Sequence, residues 1–316
     1  MQIGAGDHTY RWHDNWAQLP DTPPNRNNGR THAAAVLRDG RVVVFAQGVP
    51  GVLFYDAGGK LVGHWGDRFV GAHGLRLIEE DGEERFWLVD QESCEICKTT
   101  VDGELLQRLA PPPDEALGEG RKFIPTWADK NPANGDIWVG DGYGSGRYVY
   151  RYAADGTYLS RIDGSETGLP FAQPHGLAFS PEGELWITDR ANHRVVVCDG
   201  EGMILRHKQQ LCHSPTSFAF HGGLVYVAEL FSGIKVITPD LELVADVGSH
   251  PDVKPNADPN GWWPPQAPEG WPNVAGTPHV RPGVSRSPPG IAVDRDGNVI
   301  VTEWIVGGRV TKLEKV

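Results

Sequence analysis

Three histidines, His32, His73 and His175, hold the same place in a unit that recurs along this chain. Three imidazoles with one open position is the ligand pattern of catalytic zinc. Ring nitrogens at equivalent repeat positions can also simply hydrogen-bond neighbouring backbone, so one such histidine alone points nowhere; three together favour a metal. Two other side chains could act beside it. Tyr143 stands in Asp141-Gly142-Tyr143-Gly144-Ser145-Gly146, a glycine-flanked turn, where a phenol beside a dication can serve as a base. Arg190 follows Asp189, and its fixed charge suits a substrate carboxylate or a developing oxyanion, or only a salt bridge at a rim. Glu303 stands where other units carry aspartate; its extra methylene is expected to let it reach inward as a further metal ligand.

What positions these residues is the unit itself. Each copy begins on a polar anchor, runs through a short apolar stretch, turns, and ends a second apolar stretch on a polar residue. The anchors are Thr31-His32, Ala72-His73-Gly74, Pro125-Thr126, Pro174-His175-Gly176, Pro215-Thr216 and Pro288-Pro289-Gly290. The closing residues are Gln47, Asp90, Asp141, Asp189, Glu229 and Glu303. Turn pairs such as Asp39-Gly40, Asn134-Gly135 and Asp296-Gly297 lie between the stretches, as in hairpins. A period of roughly 40 to 50 residues with four strands per unit reads as a β-propeller blade. Six anchors therefore predict an all-β, six-bladed propeller in one domain spanning 1–316. The last unit has no fourth strand of its own, and His8-Thr9-Tyr10-Arg11-Trp12 is placed to supply it and remove an open edge.

Composition narrows the partners. A net charge of −12, from 29 basic and 41 acidic residues, disfavours nucleic acid, whose phosphates reward basic stripes. No stretch approaches the ~20 apolar residues that span a bilayer. The start has neither a basic nor an apolar signal region, which predicts a cytoplasmic protein. Cys94-Glu95-Ile96-Cys97 has the spacing of a metal knuckle, but Cys198 and Cys212 do not supply a matching pair, so buried free thiols are expected. Residues 249–287 break the period and carry Trp262, Trp263 and Trp271 among many prolines. This segment reads either as a lid over the propeller mouth or as a surface loop that offers a protein partner a docking face.

Asn192-His193-Arg194 stands where NHL-repeat propellers carry their Asn-His-Leu signature, and the chain resembles that family over nearly its whole length after residue 30. Ala72-His73-Gly74-Leu75, Asp141-Gly142-Tyr143 with Arg147, and Pro174-His175-Gly176-Leu177 with Asp189-Arg190 resemble most closely the peptidyl-α-hydroxyglycine amidating lyases and their uncharacterised bacterial relatives. That resemblance implies an axial zinc held by His73 and His175, with Tyr143 as base and Arg190 as anion stabiliser. It also implies a sixth-blade histidine where this chain has Pro289, and an aspartate after Pro-Thr where it has Trp127. The third ligand must then come from elsewhere, with His32 and Glu303 the candidates. Peptide amidation itself is not expected.

The reading is a metal-dependent lyase or hydratase-type enzyme acting on a small oxygenated substrate in the central channel. Two alternatives stand beside it. A lactonase-like hydrolase would hold calcium through oxygen ligands such as Glu303, Asp141 and Asn192. A non-enzymatic binding module would hold no metal and use the 249–287 segment as its face.

Overall fold

The computed structural model describes residues 1–230, 233–249 and 280–316. The 250–279 part of the segment expected to form a lid or partner face lies outside the described residues. Six antiparallel sheets follow one another in chain order. Their innermost strands are Arg30–Val36, Ala72–Glu80, Trp127–Lys130, Pro174–Phe179, Pro215–His221 and Gly290–Val293. Each innermost strand contacts that of the next blade, and the sixth contacts the first, which closes the ring. The protein is a six-bladed β-propeller. Among the described residues, no helix is long and apolar enough to cross a membrane.

The sequence pattern explains the layering. Second and third strands lie between neighbouring blades and are buried on both faces, so they read as unbroken apolar runs such as Val42-Val43-Val44-Phe45-Ala46. Outer strands alternate between covered and exposed positions, as in Ile204–Gln209. Trp87, Trp138 and Trp186 take equivalent second-strand places in blades two to four and are almost completely buried.

The N-terminal segment closes the last blade as expected. His8–Ala17 pairs antiparallel with Arg309–Lys315, with Trp12 opposite Leu313. An unanticipated fifth strand, Gln2–Ala5, adds to its outer edge. The proline-containing stretch at 111–121 holds one short helix, Asp114–Leu117.

The local feature that matters for function sits at the anchors. In blades one, two, four and five the pairing of the first two strands slips, between Thr31 and Ala33, Ala72 and Gly74, Pro174 and Leu177, and Pro215 and Ser217. Each slip leaves the anchor residue, His32, His73, His175 or Thr216, outside the regular ladder. Such bulges re-aim a side chain, here away from the blade interface.

Candidate active site

The three anchor histidines meet. One ring nitrogen from each of His32, His73 and His175 lies within 4.8 Å of the others, and among the described residues this is the one cluster of three or more His, Cys, Asp or Glu side chains so placed. Ring centroids are 3.8 Å apart for His32 and His73, 4.7 Å for His73 and His175, and 6.3 Å for His32 and His175. All three are buried.

Neighbouring blades fix two of these rings. His73 Nδ1 bonds the carbonyl of Thr126 at 2.6 Å, and His175 Nδ1 bonds that of Thr216 at 2.9 Å. A carbonyl only accepts, so both Nδ1 atoms carry the proton and both Nε2 atoms present a lone pair. Gly74 and Gly176 follow these histidines for the same reason. A Cβ on Gly176 would lie 2.1 Å from Thr216 O, and one on Gly74 would lie 2.6 Å from Thr126 O. Only glycine lets the acceptor carbonyl come so close. His32 is followed by Ala33 instead, and its Nδ1 makes no hydrogen bond of normal geometry.

Tyr143 bridges the pair, with Oη 3.2 Å from Nε2 of His73 and 3.2 Å from Nε2 of His175. Arg190 Nη2 donates to the same Oη at 3.2 Å, while its Nε donates to Gln173 Oε1 at 2.9 Å. The guanidinium also lies over the phenol ring, 5.3 Å from its centre. The phenol has one proton to give and two lone pairs facing it, so at least one imidazole nitrogen is left without a donor.

The electrostatics point the same way. Burial pushes the His32 pKa down to about 3, and the charge of Arg190 adds to this. His73 is held well below its ordinary value, first by burial and then by its two histidine neighbours. His175 is lowered by burial and by Arg190. Each ring is therefore neutral near pH 7, the form that ligates metal.

The closing acids have a different task. Asp90 accepts from Gly71 N at 2.9 Å, Asp141 from Ile124 N at 2.9 Å, Asp189 from Gln173 N at 2.8 Å, and Glu303 from Arg286 N at 2.7 Å. Glu229 receives the His213 N–H in the same way. Each carboxylate ties down the loop that enters its own blade's anchor. Asp189 and Glu303 also pair with buried Arg194 and Arg309, both at 2.8 Å.

This corrects the expectation for Glu303. Its carboxylate is occupied by Arg286 N–H and Arg309, and it does not join the histidine cluster. The extra methylene reaches the entry loop, not the axis. The oxygen set for calcium does not assemble either. Asn192 donates to Pro170 O and Asp189 Oδ2, while Asp141 serves its loop. Cys94 and Cys97 are free thiols, the first bonded to Phe123 O and the second to Arg68.

Gln173 and the carbonyls of Thr126 and Thr216 were not singled out from the sequence. The glycine after two of the three histidines was the available signal for the carbonyls. A glutamine before Pro174 carried no signal of its own.

Fold and repeat together define the class: this is a six-bladed β-propeller that carries an NHL repeat. The NHL repeat family matches residues 171–198, which is blade four. Human NHL repeat-containing protein 3 is 26% identical over 205 residues, covering 60% of this chain and 56% of that protein. The chain thus spans little more than half the length of that relative. Similar solved structures include virginiamycin B lyase from Staphylococcus aureus, with TM-score 0.61, 15% identity and coverage of 97% of this chain and 100% of that one. Another is a gluconolactonase from Xanthomonas campestris, with TM-score 0.62, 15% identity and coverage of 99% and 94%. At these identities the likeness is one of fold, which serves several chemistries.

Proposed function

We propose that the chain is a metal-dependent lyase of the hydratase type, with zinc held by His32, His73 and His175 and a small oxygenated substrate in the channel mouth. The observation that carries this reading is the convergence of neutral imidazoles on one point with a single phenol proton between them. Lone pairs so arranged repel unless a cation sits among them. Nitrogen donors favour zinc over calcium. Tetrahedral ligands at ~2.05 Å lie roughly 3.3 Å from one another, so the rings, whose nitrogens lie within 4.8 Å here, would close by up to about 1.5 Å around a cation.

When bound, the cation would supply Lewis-acid polarisation of a substrate carbonyl or hydroxyl oxygen. The chain's own residues would do the rest. Tyr143 Oη, fixed between two imidazoles and Arg190, takes or returns the substrate proton. Arg190, aimed by Gln173, faces the negative charge that builds on the substrate oxygen. The lyase and gluconolactonase among the fold relatives support an enzyme on this scaffold.

Elemental analysis of the purified protein and of His73→Ala and His175→Ala tests the reading. Zinc or another transition metal near one equivalent, lost in both variants, is the expected result. Calcium retained in both variants would move the assignment to a hydrolase. No metal in the wild type after supply of zinc would leave a binding module.

A further inference from the structure

The other end of the central channel holds a separate cavity of about 540 Å³, formed where the inner strands finish. Its walls come from several blades and mix apolar side chains, Leu75, Trp127, Phe179, Phe218 and Ile291 among them, with Arg76, Glu79, Asp129 and Lys130. A charged pair, Arg76 and Asp129, sits in this setting. Arg76 stands three residues beyond His73, roughly 10 Å farther along the strand. Its Nε faces Asp129 Oδ2 at 2.8 Å, and its Nη2 donates to Phe179 O at 3.1 Å.

Asp129 is already saturated. Besides Arg76 it accepts from the N–H groups of Lys130 and Phe179, both at 2.7 Å. The charges at the rim are also matched, Lys130 with Glu80 and Glu79 with Arg38. The Arg76 side chain is three-quarters covered and lines the cavity; Nε and Nη2 carry the bonds above, and Nη1 has no partner among the described residues. A cavity of this size that combines apolar side chains with a few placed polar groups is the usual form of a small-molecule site.

We propose that this cavity binds a small monocarboxylate with an apolar body, its carboxylate on Arg76 and its body among Leu75, Phe179, Phe218 and Ile291. A carboxylate adds a charge-assisted bond to the open edge of the guanidinium. A neutral ligand of the same shape forgoes that charge-assisted bond, and an ammonium has no lone pair to accept from the guanidinium. The site is independent of the histidine cluster, and Trp127 stands between the two, touching His73 edge-on at 6.4 Å.

Isothermal titration of chelator-treated protein with octanoate, octan-1-ol and octylammonium tests this. Octanoate is expected to bind about tenfold more tightly than the other two, and Arg76→Gln is expected to remove that advantage. Ala34→Phe, which enlarges a cavity-lining residue outside the ion pair, is expected to weaken octanoate at least as much. It decides the matter if Arg76→Gln does not fold. Equal affinities for the three probes, no binding at millimolar octanoate, or octanoate binding unchanged by Ala34→Phe would each overturn the proposal. So would octanoate binding that appears only when zinc is restored, because that would place the carboxylate at the histidines.

Discussion

Replacing Gly176 by alanine should damage the proposed metal site without touching a proposed ligand. The added Cβ would lie 2.1 Å from Thr216 O, and real Cβ atoms stay beyond 3.0 Å of such neighbours. The obstacle is backbone, so blades four and five must separate by about 0.9 Å at this point. That displacement takes the carbonyl out of good range of His175 Nδ1, now at 2.9 Å. Overpacking costs ~1–3 kcal/mol and a lost buried hydrogen bond ~1 kcal/mol, so we expect a loss of about 2–4 kcal/mol. At ~2.1 cal/mol/K per residue, 316 residues convert this to a fall in Tm of about 3–6 °C. Freed from its carbonyl, the ring can turn or change tautomer, and such loss of an outer partner lowers metal affinity ~10–100-fold. Thermal unfolding and zinc competition with a chromophoric chelator measure the two effects. Gly63→Ala, whose Cβ would meet only Phe54 side-chain atoms near 3.8 Å, is the control. A Gly176→Ala protein as stable as that control, and holding zinc as tightly as wild type, would refute the account of how the ring is aimed.

Glu303→Gln should leave zinc stoichiometry unchanged, because Glu303 serves Arg286 and Arg309 rather than the axis; elemental analysis that shows metal loss would restore it as a ligand. Asp141 gives a pH signature. Burial raises its carboxyl to about 6, with N–H bonds from Ile124, Gly144, Arg147 and Gly146 opposing. Between its unfolded value near 3.8 and about 6 the native state holds the proton that the unfolded chain releases. Its contribution to stability is therefore present below pH ~4 and lost as pH rises to 6, by about 3 kcal/mol in all. Urea unfolding of wild type against Asp141→Asn at pH 4 and pH 7 should show a stability difference that moves against wild type by that amount; a difference independent of pH would contradict it. Arg194→Met removes the charge that pairs Asp189, and both partners are fully buried, so unfolding should show a loss of ~3–5 kcal/mol; a loss under ~1 kcal/mol would mean that Asn192 and the Ala172 and Gln173 N–H groups satisfy the carboxylate without it.

The blade count and the closing strand were legible because short apolar runs split by glycine turns, repeating every ~40–50 residues, have few other solutions. His8–Ala17 could be assigned to blade six from a shortage at the far end of the chain, whereas Gln2–Ala5 could not, since its own residues Gln2, Gly4 and Ala5 are exposed and carry little pattern. The histidine cluster was partly legible. Equal positions in the repeat place His32, His73 and His175 at the same height on the axis, whichever way each ring turns. Turning is settled by the bulge and by the next blade's carbonyl, and neither is written in the residues of one strand. Glu303 shows the limit most clearly. Repeat logic put an acid at the right height, and the resemblance to the amidating lyases implied a vacancy to fill at Pro289. Yet Arg309 and the Arg286 N–H claim its carboxylate, and a buried charge stays with the partners that pair it. The same logic separates Asp189 beside Arg194 from His175 beside Tyr143: at one blade end a carboxylate is neutralised by the chain itself, while at the axis the chain brings acceptors together and supplies one proton between them. A site short of donors in this way is the physical reason to look for a cation there.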